Sequence, residues 1–264
     1  MATAKKTTVK PGTAVAVKKA SSTAVANIQD LLRKQAEANA ARVQPGGGSS
    51  IRIGQDKTFT LPDGTKTREP LQLVVVDFVS RNEWYEGAYN KDDITPPNCF
   101  AIHPEPKQLV PSANSPEKQS DDCASCPLNQ FGSAPTGGGK ACKNTRVLAV
   151  LPPDADDDTE IWTLKVSPTG LKSFDNFVAG VNRAFQLPPV GVVVTVSFSD
   201  AVDYPSLEFS DPQPNENVAT HFARQDEARD MITREPDVSS FGMEKPKATK
   251  PAARKPVGRK VGAR

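Results

Sequence analysis

Histidine is nearly missing from this chain of 264 residues, which has two, and tryptophan, tyrosine and methionine are hardly commoner at two, three and three. With His103 and His221 as the sole imidazoles and no G-x-S-x-G segment, the usual nucleophilic constellations have no residues to run on. The run Gly137-Gly138-Gly139-Lys140 is not a phosphate-binding P-loop, because the leading glycine is misplaced and Ala141 follows the lysine. No apolar run approaches the roughly 18 residues that would mark a membrane span, and the opening MATAKKTTVK has no apolar signal core. These absences predict a non-enzymatic protein of the cytoplasm, or of the host cytoplasm if viral, that does not engage a membrane.

Cysteine is also scarce, and its placement is informative. All four, Cys99, Cys123, Cys126 and Cys142, fall in one stretch rich in Pro, Gly, Ser and Asn, with almost no apolar periodicity from which a core could form. A tetrahedral Zn²⁺ would staple such a loop, since the C-x2-C pair can hold one ion while two distant ligands close the site. His103, four residues after Cys99, is an alternative first ligand, although a histidine among prolines is also commonly a solvated loop residue. An iron–sulfur cluster and plain free thiols remain alternatives. Disulfides suit a reducing cytosol poorly.

Charge is distributed unevenly. Residues 1–22 carry five lysines and no acid, and residues 244–264 carry eight Lys or Arg against one Glu, so the net +2 of the chain leaves about −10 on residues 23–243. Basic low-complexity arms on an acidic body suit contact with nucleic-acid phosphates, and equally self-association. The acidic run Asp154, Asp156, Asp157, Asp158 and Glu160 departs from the EF-hand pattern and reads as a solvated hairpin turn; a Mg²⁺-dependent nuclease is the enzymatic alternative it leaves open.

Four regions follow from the patterning: a basic disordered arm with a short helix (23–43) and a Gly-rich linker over 1–50, a core over 51–211 with a zinc insertion at about 96–144, an exposed charged helix within 212–243, and a basic disordered tail over 244–264. Within the core, residues 51–64 give a strand into an Asp-Gly turn, and 71–80 read as a buried central strand. Residues 145–151 and 160–166 form a hairpin. A helix begins at Ser167-Pro168 with Leu171, Phe174, Phe177, Val178, Val181 and Phe185 at helical spacing, and 191–200 and 204–211 pair as strands. From residue 71 the order is strand, long insertion, strand, strand, helix, strand, strand. The expected class is therefore mainly β with α: an OB-fold-like five-stranded barrel with an inserted zinc-binding loop, a fold that lays nucleic-acid strands or oligosaccharides across strands two and three. A split sheet with one packed helix is the alternative.

Holding a single strand takes aromatic faces for stacking and cations for the backbone. Arg81, Trp84, Tyr85, Tyr89 and Lys91 offer that combination on one segment, Lys140, Lys143 and Arg146 flank the last cysteine, and Trp162 and Lys165 lie on opposite faces of one strand. Burial in the core is the competing assignment for each aromatic. This layout, with Cys99 upstream of Cys123-x2-Cys126-x15-Cys142, resembles the phage single-stranded DNA-binding proteins of the T-even helix-destabilising type, over roughly residues 51–211. The resemblance implies an OB-fold with an inserted zinc subdomain and a protein that coats single-stranded DNA, with RNA as the other candidate strand, in replication or recombination alongside the proteins of those processes. The chain departs from that family in offering four cysteines where the family uses a histidine ligand, and in ending with Lys and Arg where the family ends acidic. The rival expectation is a zinc-stapled regulatory protein that binds a polymerase or another replication or transcription partner.

Overall fold

Apolar residues come together around one long strand. A computed structural model of the chain describes residues 28, 31, 34, 35, 49–87 and 95–241. It divides into two units, residues 1–48 and 49–264. In the first, Ile28, Leu31, Lys34 and Gln35 are helical, and the rest of the helix expected over 23–43 lies outside the described residues, as do both basic tails.

The second unit contains strands β1 (Ser50–Ile53), β2 (Phe59–Thr60), β3 (Lys66–Thr67), β4 (Leu71–Trp84), β5 (Cys99–His103), β6 (Lys143–Leu151), β7 (Trp162–Val166), β8 (Val192–Phe198) and β9 (Leu207–Pro214). Helix α1 (Leu171–Phe185) lies between β7 and β8, and α2 (Val218–Ala223) and α3 (Gln225–Ile232) follow β9. The fold is mainly β, and its sheet curls into a half-barrel. Among the described residues the sheet runs β3-β2-β1-β7-β6-β4-β8-β9, with β5 pairing to β4 off that path. No described helix is long and apolar enough to cross a membrane.

β4 organises the sheet. Its first residues pair antiparallel with β8 (Leu71 opposite Val196), its last with β5 (Trp84 opposite Cys99), and β6 runs along its other edge from Val74 to Glu83. The sequence pattern places the strand end near Ser80. The structure continues it through Arg81-Asn82-Glu83-Trp84, because β5 and β6 supply ladder partners on both edges there. The register slips between Val75 and Asp77, so that Val75 faces Val150 while Asp77 faces Ala149. The extra residue of this β-bulge reverses which side chains face which side, and bulges also bend a strand. At the far end of the path, β7 takes β1 as a parallel neighbour (Ile51 opposite Leu164), and among the described residues no β7–β9 pairing closes the half-barrel.

The inner face of the sheet packs on α1. Phe174, Phe177 and Val181 recur at helical spacing and are buried against Leu73, Val75, Leu148, Leu164, Val194 and Phe209. Phe174 meets Phe78 and Phe209 edge-on, at ring-centroid distances of 5.0 and 5.2 Å. The expected helix start at Ser167-Pro168 is displaced to Leu171. Ser167 Oγ lies 2.9 Å from Thr169 Oγ1 and its carbonyl accepts from Gly170 N, so these residues form a turn before the helix. A Cβ at Gly170 would lie 3.1 Å from Val166 Cγ1 and 3.3 Å from the Leu207 backbone, so a larger residue would press on both neighbours.

The outer face is covered from the C-terminal side, which corrects the expectation of one exposed helix over this region. Ala228 and Ile232, spaced i and i+4 within a strongly charged segment, are buried against Val76, Val79, Val147, Ala149 and Leu151. His221 in α2 is fully buried, with Nδ1 3.0 Å from Asn215 Nδ2 and Nε2 3.2 Å from the Ala155 carbonyl.

Candidate functional site

Three separate points of the chain bring the four cysteines to one place. Cys99 opens β5 directly opposite Trp84. Cys123 and Cys126 flank a turn in which Asp122 accepts from Ser125 Oγ at 2.5 Å and from Ser125 N at 2.7 Å, and these bonds, the hydroxyl first, hold the Asp122 carboxyl below its usual range. Cys142 immediately precedes β6 and donates its amide to the Leu128 carbonyl at 2.8 Å. All four line one cavity of about 10 Å³ together with Asn82 and Trp84. That is room for about one water-sized sphere.

All four are free thiols, three of them buried and Cys142 half-buried. Burial pushes the Cys123 thiol up to about 11, against the opposing hydrogen bond from Asn82. Burial, followed by the neighbouring sulfurs of Cys123, Cys126 and Cys99, pushes Cys142 to about 12, with Lys140 opposing. The neighbouring sulfurs raise Cys123 and Cys142 because charged thiolates would repel one another in a poorly solvated space. Among the described residues no group of three or more His, Cys, Asp or Glu side chains stands already arranged as a metal-binding group. The donor set nevertheless fits one soft divalent ion: four thiols, no disulfide, and a shared cavity ringed by tightly hydrogen-bonded turns. His103 does not line this cavity; its Nδ1 accepts from Glu105 N at 3.0 Å.

The cations expected to meet a nucleic acid fall into two groups. On the outer face, Arg81, Glu83 and Lys165 form a cluster in which the nearly buried Glu83 carboxylate pairs with Lys165 and lies 3.7 Å from Arg81. Arg81 is mostly buried and donates through Nη2 to the carbonyls of Ile232 (3.2 Å) and Arg234 (2.8 Å), so it ties down the end of α3. Lys143 stands opposite Glu83 on the same face and is exposed, and half of the Lys165 side chain is exposed. On the inner face, Arg146 is buried beside α1, 3.5 Å from Asp175, in a groove of about 660 Å³ that Phe78, Asn182 and Leu187 also line. Lys140 is half-buried over the cysteine segment, its Nζ 3.3 Å from Asn129 Oδ1.

The aromatics divide in the same way. Trp162 is partly buried against the α1 core, and Trp84 is a wall of the cysteine cavity. Tyr85 is 38 % exposed, its phenol pushed up to about 12 by burial first and by Glu83 second. Tyr89 and Lys91 lie outside the described residues. An exposed ring that the sequence pattern passes over is Phe131, between Cys126 and Cys142; a lone aromatic in a loop of Gly, Ser and Asn has no periodicity to mark it. The packed α3 was equally hard to read, because Ala228 and Ile232 are outnumbered by charges.

The acidic run between β6 and β7 closes on itself. Asp156 Oδ1 accepts from Thr159 Oγ1 at 2.6 Å and from Asp158 N at 3.2 Å, which holds its carboxyl below the usual range, while Asp154, Asp157 and Asp158 are exposed. Compared with known proteins, the chain matches no family model, no curated protein and no solved structure.

Proposed function

We propose that this chain binds single-stranded nucleic acid, DNA before RNA, as a coating protein of replication or recombination rather than as an enzyme. The observation that carries the reading is the sheet path β7-β6-β4-β8-β9 with α1 between β7 and β8 and a long bulged β4 shared by both arms. This path is compatible with a barrel-like β fold and supports an OB-type reading, in which β6 and β7 would be the ligand-bearing second and third strands. Lys143 on β6 and Lys165 on β7 share one face of those strands, where they would meet phosphates, and Tyr85, directly after β4, supplies a partly exposed ring. The insertion between β4 and β6 carries the four cysteines. Cys99, Cys123, Cys126 and Cys142 would hold Zn²⁺, whose contribution is to order a segment with little core of its own.

A second reading has its own support. α3 covers part of the outer face, Arg81 is engaged by backbone carbonyls, and Trp84 and Trp162 serve cavity and core. This arrangement favours a zinc-stapled interaction protein whose covered face is not a strand-binding surface. Titration of a labelled oligonucleotide, single-stranded against duplex, at two salt concentrations separates the two. Single-strand preference of tenfold or more supports coating, because stacking needs exposed bases and is worth about 1–3 kcal/mol per base. Equal affinity for duplex would leave only phosphate attraction and would favour the interaction protein. Deleting residues 244–264, which hold eight of the 33 Lys and Arg, should flatten the salt dependence without abolishing binding.

A further inference from the structure

The loop between Cys126 and Cys142 is tightly built, yet it presents a large apolar side chain to solvent. Gly132 N and Ala134 N both donate to the Gly139 carbonyl, at 2.9 and 3.1 Å, and Gly137 N donates to Ala134 O at 2.8 Å. Ser133 Oγ lies 2.9 Å from the Leu128 carbonyl and 2.6 Å from that of Gln130, and accepts from Ala141 N at 3.0 Å. On this frame Phe131 is 83 % exposed, more than any other large hydrophobic side chain among the described residues.

A single exposed apolar residue is ordinary. Phe131 differs in its surroundings. The Lys140 ammonium lies 5.2 Å from the ring centroid, within cation–π range. Beside them, Gly137, Gly138 and Gly139 leave the backbone bare, and a Cβ at any of the three would meet nothing within 4 Å. Gly137 has a φ of +78°, which glycine adopts without strain, but the other two have neither a positive φ nor crowding to require glycine. What they provide is backbone that a ligand can approach closely. Among the described residues, the Gly138 and Gly139 amides donate to no acceptor.

We infer that this loop is a contact point for single-stranded nucleic acid, in which a base stacks on Phe131 while Lys140 and the Gly138 and Gly139 amides meet a neighbouring phosphate. A ring for the base, a cation for the phosphate and bare amides on a held loop are the parts that a sequence-tolerant single-strand contact requires. The inference rests on the proposed single-strand binding and deepens it by naming a contact outside the sheet face.

The test is anisotropy of a labelled oligo-dT with the full chain, comparing wild type with Phe131→Ala, Phe131→Trp and Lys140→Gln. Phe131→Ala should weaken single-strand binding roughly tenfold with duplex binding and melting temperature unchanged, since the ring packs on little. Phe131→Trp should retain binding and show indole quenching on adding oligonucleotide. Lys140→Gln should reduce the slope of log affinity against log salt by about one. Wild-type binding with unchanged affinity in Phe131→Ala, or an equal loss toward duplex, overturns this contact and leaves single-strand binding by the sheet standing. No binding by the wild type overturns the single-strand reading, and this contact with it.

Discussion

The sheet and the cysteine segment are ordered by different physics. Between the curled sheet and α1 lie 16 buried apolar residues, whereas the cluster beneath the cysteine segment has three, Ala101, Leu109 and Cys123. The first region follows from burial of apolar area, at roughly 25 cal/mol per Å². The second is held by polar contacts: Asn98 N donates to Trp84 O, Asn129 Nδ2 to Cys123 O and Asn144 Nδ2 to Asn82 Oδ1. Net hydrogen bonds contribute only about 1 kcal/mol each, so a loop built on them gains most from a shared ligand. The contrast teaches that the cysteine segment is the part whose order should depend on something added, while the sheet should stand without it.

Metal removal tests that contrast most strongly. Protein purified without chelator should carry about one zinc per chain, and stripping it should free the segment around Cys99–Cys142 while the sheet stays folded, because structural zinc supplies on the order of 10 kcal/mol to the site it orders. Elemental analysis with hydrogen exchange reads both effects. Less than half an equivalent of zinc, or full zinc in Cys126→Ser, would break the comparison.

Within the sheet, Phe174→Ala should cost about 3–5 kcal/mol of stability in urea unfolding, since the ring is fully buried and meets Phe78, Phe177 and Phe209. Zinc content should not change. A loss below about 1 kcal/mol would mean that α1 does not complete the core.

The join between the regions should give a smaller effect. Glu83→Gln removes a carboxylate that is 5 % exposed and faces both Arg81 and Lys165. Breaking a buried pair can cost about 3–5 kcal/mol, but the half-exposed lysine reduces this to roughly 1–3. Restoration in the Glu83→Gln, Lys165→Met double variant would show that the unpaired charge carries the cost.

The smallest effect concerns Glu235, whose carboxylate accepts from Asn114 Nδ2 and Ser112 Oγ, both at 2.6 Å, and so bridges the C-terminal segment to the cysteine insertion. Those bonds hold its acid below the ordinary 4.5, the Asn114 bond most strongly. A folded value below the unfolded one means that the stabilisation is present above pH 4.5 and is lost as pH falls through the folded value. Glu235→Gln should therefore cost less than about 1 kcal/mol near neutrality, after solvent screening. The difference from wild type should shrink to nothing in acid. A gap that persists in strong acid would assign the contact to packing.

Much of the sheet was legible because its signals are local. The near-continuous apolar runs within Leu71–Val79 and β6 declare buried strands, and the Phe174, Phe177, Val181 stripe declares its helix through a period of 3.6. The continuation of β4 through Arg81-Asn82-Glu83-Trp84 was not legible, because those residues become strand only when β5 and β6, distant in sequence, pair with them. The site divides in the same way. Clustering of the four cysteines could be read from spacing, and so could their candidacy for one ion, but the placement of Cys99 rather than His103 at the cavity depended on the β4–β5 register.

By itself, then, the sequence determined the order of β4, β6, β7, α1, β8 and β9, the cysteine cluster and the charge imbalance between tails and body, since composition and short-range period require no partner, whereas β5 lay unread inside the insertion. Tertiary structure alone decided that α3 lies on the outer face, that Arg81 and Arg146 are engaged inside the protein, that Trp84 and Trp162 serve cavity and core, and that Phe131 faces water. Alternation along a strand divides side chains between two faces without saying what covers either one, and that depends on segments many residues away.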